Sequence, residues 1–265
     1  MTITHPTTRR AAVALSLACA ALSAFASPSA SPSTSTPAPW WAAFAEPGLD
    51  ALMQTSAPAS SPAEQQLVQG YIAARTGQLR VQLAQTLALA AREEQALLMS
   101  VPPAPDRDQA LAAAGRRLEA VENGAAALQA ARDAQIAALA SESGVAPERL
   151  LPWVAPEGAA TLPRVGAPLP AAALRARVPE PLAVLAEQAR QVDAGTAWVA
   201  TRRSDWQARL QRQRLGGGDA LGTLQAYQQY IVDTDQLAVA SAQLALTWAQ
   251  WLQYSSGGTP LAAAR

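Results

Sequence analysis

Two breaks limit what this chain can fold into more than anything else in it. Val101-Pro102-Pro103-Ala104-Pro105 and Gly216-Gly217-Gly218 each stand between two long stretches of alanine, leucine, glutamine and arginine. Those four residue types are strong helix formers. No helix crosses the first break, because its prolines lack backbone donors and push the preceding residue out of the helical region. The second break removes the side chains that restrain a helix. β-branched runs are almost absent, so strands are not expected. The expected fold class is therefore all-α. Two long antiparallel helical hairpins pack as an elongated four-helix bundle, joined by a proline-rich crossing segment. Each arm is about 35 residues, or ~50 Å at the helical rise.

The first helix is expected from about Pro62 to Ser100, with Ile72, Leu79, Leu83, Ala90 and Leu97 on one stripe. Asp106 is the expected N-cap of the second, Arg107 to Ser141. There Leu111, Ala114, Leu118, Val121, Ala125, Leu128 and Leu139 keep 3-4 spacing, which Arg132 and Gln135 interrupt. Ser143-Gly144 ends the first hairpin, 62–144. The segment 145–180 contains seven prolines and Trp153, and reads as a non-helical crossing along a surface. The second hairpin, 181–258, has one arm from Pro181 to Leu215 and another from an Asp219 cap to about Tyr254. Leu224, Tyr227, Ile231, Ala238, Ala245, Trp248 and Leu252 form its last stripe, and the small residues within it allow close helix approach. Residues 259–265 read as a disordered tail.

Residues 1–26 read as an export signal. Arg9 and Arg10 precede an apolar stretch from Ala11 to Leu22, and Ala24-Phe25-Ala26 is an A-x-A cleavage site. Lipidation at Cys19 is the alternative, against which Ser16 stands where a lipobox carries leucine. Both readings take the protein out of the cytoplasm, to the periplasm or the outer membrane. Residues 27–39 are a Ser/Pro/Thr/Ala spacer without packing residues, read as disordered. The segment 40–61 opens with Trp40 and Trp41, which have no reason to end a polar tail unless they dock on a surface or start a helix against their own bundle.

Composition narrows the chemistry. The single Cys and single His lie in the export signal, and all 20 basic residues are arginine. The chain after Ala26 then has 18 arginines against 20 carboxylates, a net charge of −2. A chain without His, Cys or Lys builds no Ser-His-Asp triad, no thiolate or imidazole metal site and no Schiff base. The carboxylate pairs Glu93-Glu94, Glu119/Glu122 and Asp233/Asp235 remain, and their helical setting reads as a solvated face rather than an acid/base pair. No catalytic, cofactor-binding or metal residue is assigned, and the protein is expected not to be an enzyme. No basic stripe interleaved with aromatics points to nucleic acid.

The duplicated hairpin, the proline-rich crossing and the opening stretch together resemble the TolC family of outer-membrane efflux proteins. Trp40, Trp41, Phe44, Glu46-Pro47, Leu49, Asp50 and Leu52 follow the family's opening order. ALASESGVAPERL is similar to the close of its second long helix, and APLPAAALRARVPEPLAVLAEQA to its Leu-Pro…Arg-Pro-Asp crossing, with one extra residue at Arg177-Val178-Pro179-Glu180. The stretch from Arg214 to Gly258 is similar to its last helix, although Gly222 to Tyr227 departs from the usual Leu-Asp-Val-Leu. The resemblance covers Trp40 to Met53 and Tyr71 to Gly258.

Family members add β-strands to a membrane barrel shared by three protomers. Gln54 to Ser61 and Gln191 to Gly195, where those strands belong, neither alternate nor suffice for a hairpin. The resemblance therefore implies a member reduced to its helical hairpins. Its partners would be a periplasmic adaptor and an inner-membrane pump, with self-association as a trimer. The contact tips would be Pro102, Pro103 and Asp106, and Arg214, Leu215, Gly216, Gly217, Gly218 and Asp219. Trp40 and Trp41 would anchor the leading segment. The competing expectation is a stand-alone periplasmic interaction or regulatory module without transport activity.

Overall fold

The computed structural model describes residues 39–155 and 179–255. The export signal with Cys19, nearly all of the 27–39 spacer, residues 156–178 of the crossing and the 259–265 tail lie outside these. The chain is all-α, and among the described residues there is no strand. A short 3-10 turn, Trp40–Phe44, leads into α1 (Pro47–Ser56), α2 (Ser61–Ser100), α3 (Pro105–Ser143), α4 (Pro147–Val154), α5 (Pro179–Arg214) and α6 (Ala220–Ser255).

Local chemistry explains the helix ends. Ser60 caps α2, its hydroxyl accepting from the Ala63 N–H at 3.4 Å, and Val101 leaves the helix ahead of Pro102. Asp106 does not cap α3. The helix starts two residues before the expected Arg107, at Pro105 after Ala104, and Asp106 sits in its first turn. Proline at the first helical position needs no N–H partner and already has a helical φ, so it sets the start. The crossing segment also begins differently from the expectation, because Pro147–Val154 is helical. Leu150 and Val154, one turn apart, are fully buried, and Pro152 lies on the exposed side of a helix barely two turns long. Burial of that face outweighs one missing backbone hydrogen bond.

Helix α2 packs along α3, α5 along α6, and α2 along α6. The register of the last pair is read from three contacts. Gln253 reaches Ser61, Asp235 pairs with Arg80, and Gln225 and Gln228 reach Glu94. Rising numbers on α2 meet falling numbers on α6, so the two are antiparallel, and both bends lie at one end. Helices α3 and α5 share no comparable interface. The four helices thus run in the order α3–α2–α6–α5 as an open layer. Accessibility agrees, since α3 and α5 each bury one narrow seam and leave the opposite side exposed.

The hydrophobic core is concentrated at the end away from the bends. Phe44, Leu49, Leu52 and Met53 pack there with Val68, Tyr71 and Ile72 of α2, Ile136 and Leu139 of α3, Leu150 of α4, Leu185 of α5 and Trp248 of α6. Towards the bends the apolar seam narrows to small and isolated residues such as Ala88, Ala91, Leu98, Ala114, Leu224 and Ile231, Trp206 of α5 stacks on Tyr227 and Tyr230 of α6, and the buried Glu94 and Asp233 add polar ties.

Candidate interaction sites at the two ends

Every residue expected at the first bend is exposed: Pro102, Pro103 and Asp106 line the rim of the turn. Arg107 folds back to donate to the Val101 carbonyl at 2.9 Å and pairs with Asp108. At the second bend Arg214, Leu215, Gly216, Gly217, Gly218 and Asp219 are likewise exposed. The Gly217 N–H donates to the Arg212 carbonyl at 3.1 Å and the Gly216 N–H to the Gln213 carbonyl at 3.0 Å. With Gly216 at φ +83°, this is a Schellman ending. A Cβ on Gly218 would fall 2.6 Å from the Gln213 Cα. Gly216 and Gly218 are therefore explained by the turn, whereas a Cβ on Gly217 would meet open space. The Asp219 carbonyl accepts from the Thr223 N–H at 3.0 Å, which starts α6. Met99, Val101 and Leu215 are 57%, 49% and 78% exposed, so the bend end displays apolar side chains from both hairpins.

The opposite end holds the leading segment. Trp40 donates its indole N–H to Glu64 of α2 at 3.0 Å and meets Trp41 edge-on at 6.0 Å. Both tryptophans are only partly buried against the core, and the 3-10 turn packs on α6. The deeper anchors are Phe44, Leu49, Leu52 and Met53. At the Glu46-Pro47-Gly48 turn, the Tyr71 hydroxyl lies 3.1 Å from Glu46 Oε2 and 3.2 Å from the Trp153 carbonyl oxygen. Burial beside the Glu46 carboxylate pushes the Tyr71 pKa well above its ordinary value. A Cβ on Gly48 would fall 2.5 Å from that carbonyl oxygen, so only glycine lets the turn close on Tyr71 and α4.

The carboxylate pairs are not all on solvated faces. Glu94 is 2% exposed and accepts from Arg117 of α3 at 2.6 Å and from Gln225 and Gln228 of α6 at 3.3 and 3.0 Å. Asp233 is also buried, and accepts from Trp198 at 3.1 Å, Arg202 at 3.0 Å and Gln229 at 2.8 Å. Arg202 also lies 4.4 Å over the Trp198 ring. Asp235, two residues on, turns to Arg80 of α2. That bidentate hydrogen bond holds the Arg80 guanidinium above its ordinary pKa. Glu119 is exposed and Glu122 pairs with Arg92. The reason for the misreading is α6: it covers Glu94 from a hairpin more than a hundred residues away, which no local pattern reports.

Among the described residues no group of three or more His, Cys, Asp or Glu is placed to hold a metal ion, and no helix is long and apolar enough to cross a membrane. No protein-family model, no curated protein and no solved structure matches this chain.

Proposed function

We propose that this chain is an exported, TolC-like helical component of a tripartite efflux or secretion assembly, working by contacts between helices rather than by catalysis. One observation carries the reading: the four long helices form an open layer with both bends at one end and an unpartnered side on each outer helix. The sequence resemblance supplies the rest. In this reading the exposed Met99, Val101 and Leu215 at the bends meet an adaptor protein, and copies of the chain associate through α3 and α5.

The outer sides of α3 and α5 suit that association. On α3, opposite its packed seam, Ala120, Ala127, Ala130, Ala134 and Ala137 are exposed at 3-4 spacing. On α5, Ala194, Ala197, Thr201, Ser204 and Ala208 repeat it. Small residues at such spacing let helix backbones approach closely. The two seams also stand at one level. Arg80 of α2 pairs with Asp235 of α6; beside them Gln78 meets Arg132 on α3 and Asp233 meets Trp198 on α5. A neighbouring copy added sideways would set α3 antiparallel against α5 and continue the alternation of the layer. Such a heterologous contact closes into a ring when the rotation between neighbouring copies closes, and three copies are the number the resemblance implies.

The test is cysteine cross-linking of the exported protein carrying Ala130→Cys and Ala197→Cys. Oxidation is expected to give disulfide-linked species that close at three copies, with a mass of three chains by light scattering. A monomer at every concentration, with no cross-link and no adaptor captured by a photoreactive group at Leu215, would replace this reading with that of a stand-alone periplasmic module.

A further inference from the structure

We propose that Asn123-Gly124 is a self-modification site: the middle of α3 opens locally, and Asn123 then converts without an enzyme into aspartate or isoaspartate. This inference rests neither on self-association nor on an adaptor.

Three observations meet at this pair. Asn123 is the only asparagine of the chain, a glycine follows it, and both are exposed midway along α3. Packing gives no reason for that glycine. On α2, a Cβ at Gly70 would press on Leu139 and one at Gly77 would collide with the Gln135 side-chain oxygen, so those two glycines let α3 approach. A Cβ on Gly124 would meet open space. Lastly, α3 is loosely held here. Between Ala114 and Ile136 none of its residues is buried. The tie beside the pair, Arg92 to Glu122, joins side chains 57% and 42% exposed, and such an ion pair holds little. Glycine is the weakest helix former after proline, and asparagine is also weak.

The chemistry needs no reagent but water. The Gly124 backbone nitrogen attacks Cγ of Asn123, its proton passes to the departing amide nitrogen, and ammonia leaves a five-membered imide. Water then opens the ring at either carbonyl. One opening gives aspartate; the other gives isoaspartate, with one more methylene in the main chain. The missing side chain on residue 124 clears the line of attack. A closed helix forbids the step, because the Gly124 N–H is bonded to the carbonyl four residues back and its nitrogen is held away from the Asn123 side chain. The reaction therefore reports opening of α3 at this pair. The change is also one-way. The new carboxylate stands four residues from Glu119 and beside Glu122, and like charges four residues apart weaken a helix.

The test is to incubate the exported, processed protein at mildly alkaline pH, folded and in urea, and to follow the tryptic peptide Leu118–Arg132 by mass spectrometry. That peptide holds the only asparagine, so a shift from amide to acid mass is assigned to Asn123. Folded protein is expected to convert within about a hundredfold of the rate in urea, because local openings are far more frequent than global ones. Global unfolding alone would slow the reaction by more than about a thousandfold. Gly124→Ala strengthens the helix where a Cβ has room. It is expected to slow conversion in urea and to slow it by about fivefold more in the folded protein. Asn123 left intact in the folded protein after about a hundred half-lives of the unfolded chain overturns the proposal. So does a Gly124→Ala variant whose folded and unfolded rates fall by the same factor, because the opening then lies elsewhere.

Discussion

Gly216 and Gly217 differ in what the second bend asks of them. Gly216 sits at φ +83°, where a side chain is strained. Gly216→Ala is therefore expected to lower stability by about 1–2 kcal/mol in urea unfolding. Gly217→Ala, facing open space, is expected to stay within about 0.5 kcal/mol of the parent. Tyr71 makes a different prediction. Its folded pKa is raised, while an unfolded tyrosine ionises near pH 10. The unfolded chain then binds fewer protons above that pH, so the contribution is complete below about pH 10 and is lost as pH rises towards the folded pKa. Tyr71→Phe should cost about 1–2 kcal/mol at pH 8 and flatten the alkaline loss between pH 9 and 11, as measured by unfolding at each pH. Neither the partners of Tyr71 nor the burial of Glu94 and Asp233 was legible in the sequence. Spacing shows which side of a helix a residue occupies, but not which distant helix covers that side.

Among the elements, α6 ties the two hairpins together, and Glu94 is its principal polar contact near the bends. Arg117→Ala leaves that buried carboxylate with glutamine amides alone and is expected to cost about 1–3 kcal/mol. Glu94→Leu removes the charge and its desolvation cost together, so it is expected to destabilise less than Arg117→Ala, or to stabilise. Thermal melts of the two variants side by side check the order. The long helices were readable because the breaks are chemically unambiguous and the stripes regular. The start of α3 and the existence of α4 were not. Pro105 and Pro147 both open helices, and reading proline only as a breaker hides that role. The seam of α3 was legible down to its two faults at Arg132 and Gln135. What those faults face depends on Gly77, which nothing in the α3 sequence reveals.

For the molecule as a whole, the layer is thick at one end and thin at the other. Phe44, Leu52, Val68, Ile72, Leu139, Leu150 and Leu185 meet at the end that holds the leading segment, while the bend end exposes Met99, Val101 and Leu215. The leading segment is therefore structural as well as connecting. Removing residues 39–57 strips Phe44, Leu49, Leu52 and Met53 from the core, an upper-limit loss of roughly 6–12 kcal/mol at ~1.5–3 kcal/mol per side chain. The truncated protein is expected to show loose packing by near-ultraviolet circular dichroism with its helices largely kept. The uneven core also gives the intact protein a direction of opening. Amide deuterium uptake should begin at the two bends and advance along all four arms towards the tryptophan-rich end, with Tyr71 and Leu139 exchanging last. The hairpin tips can then sample alternative separations while the opposite end keeps its register.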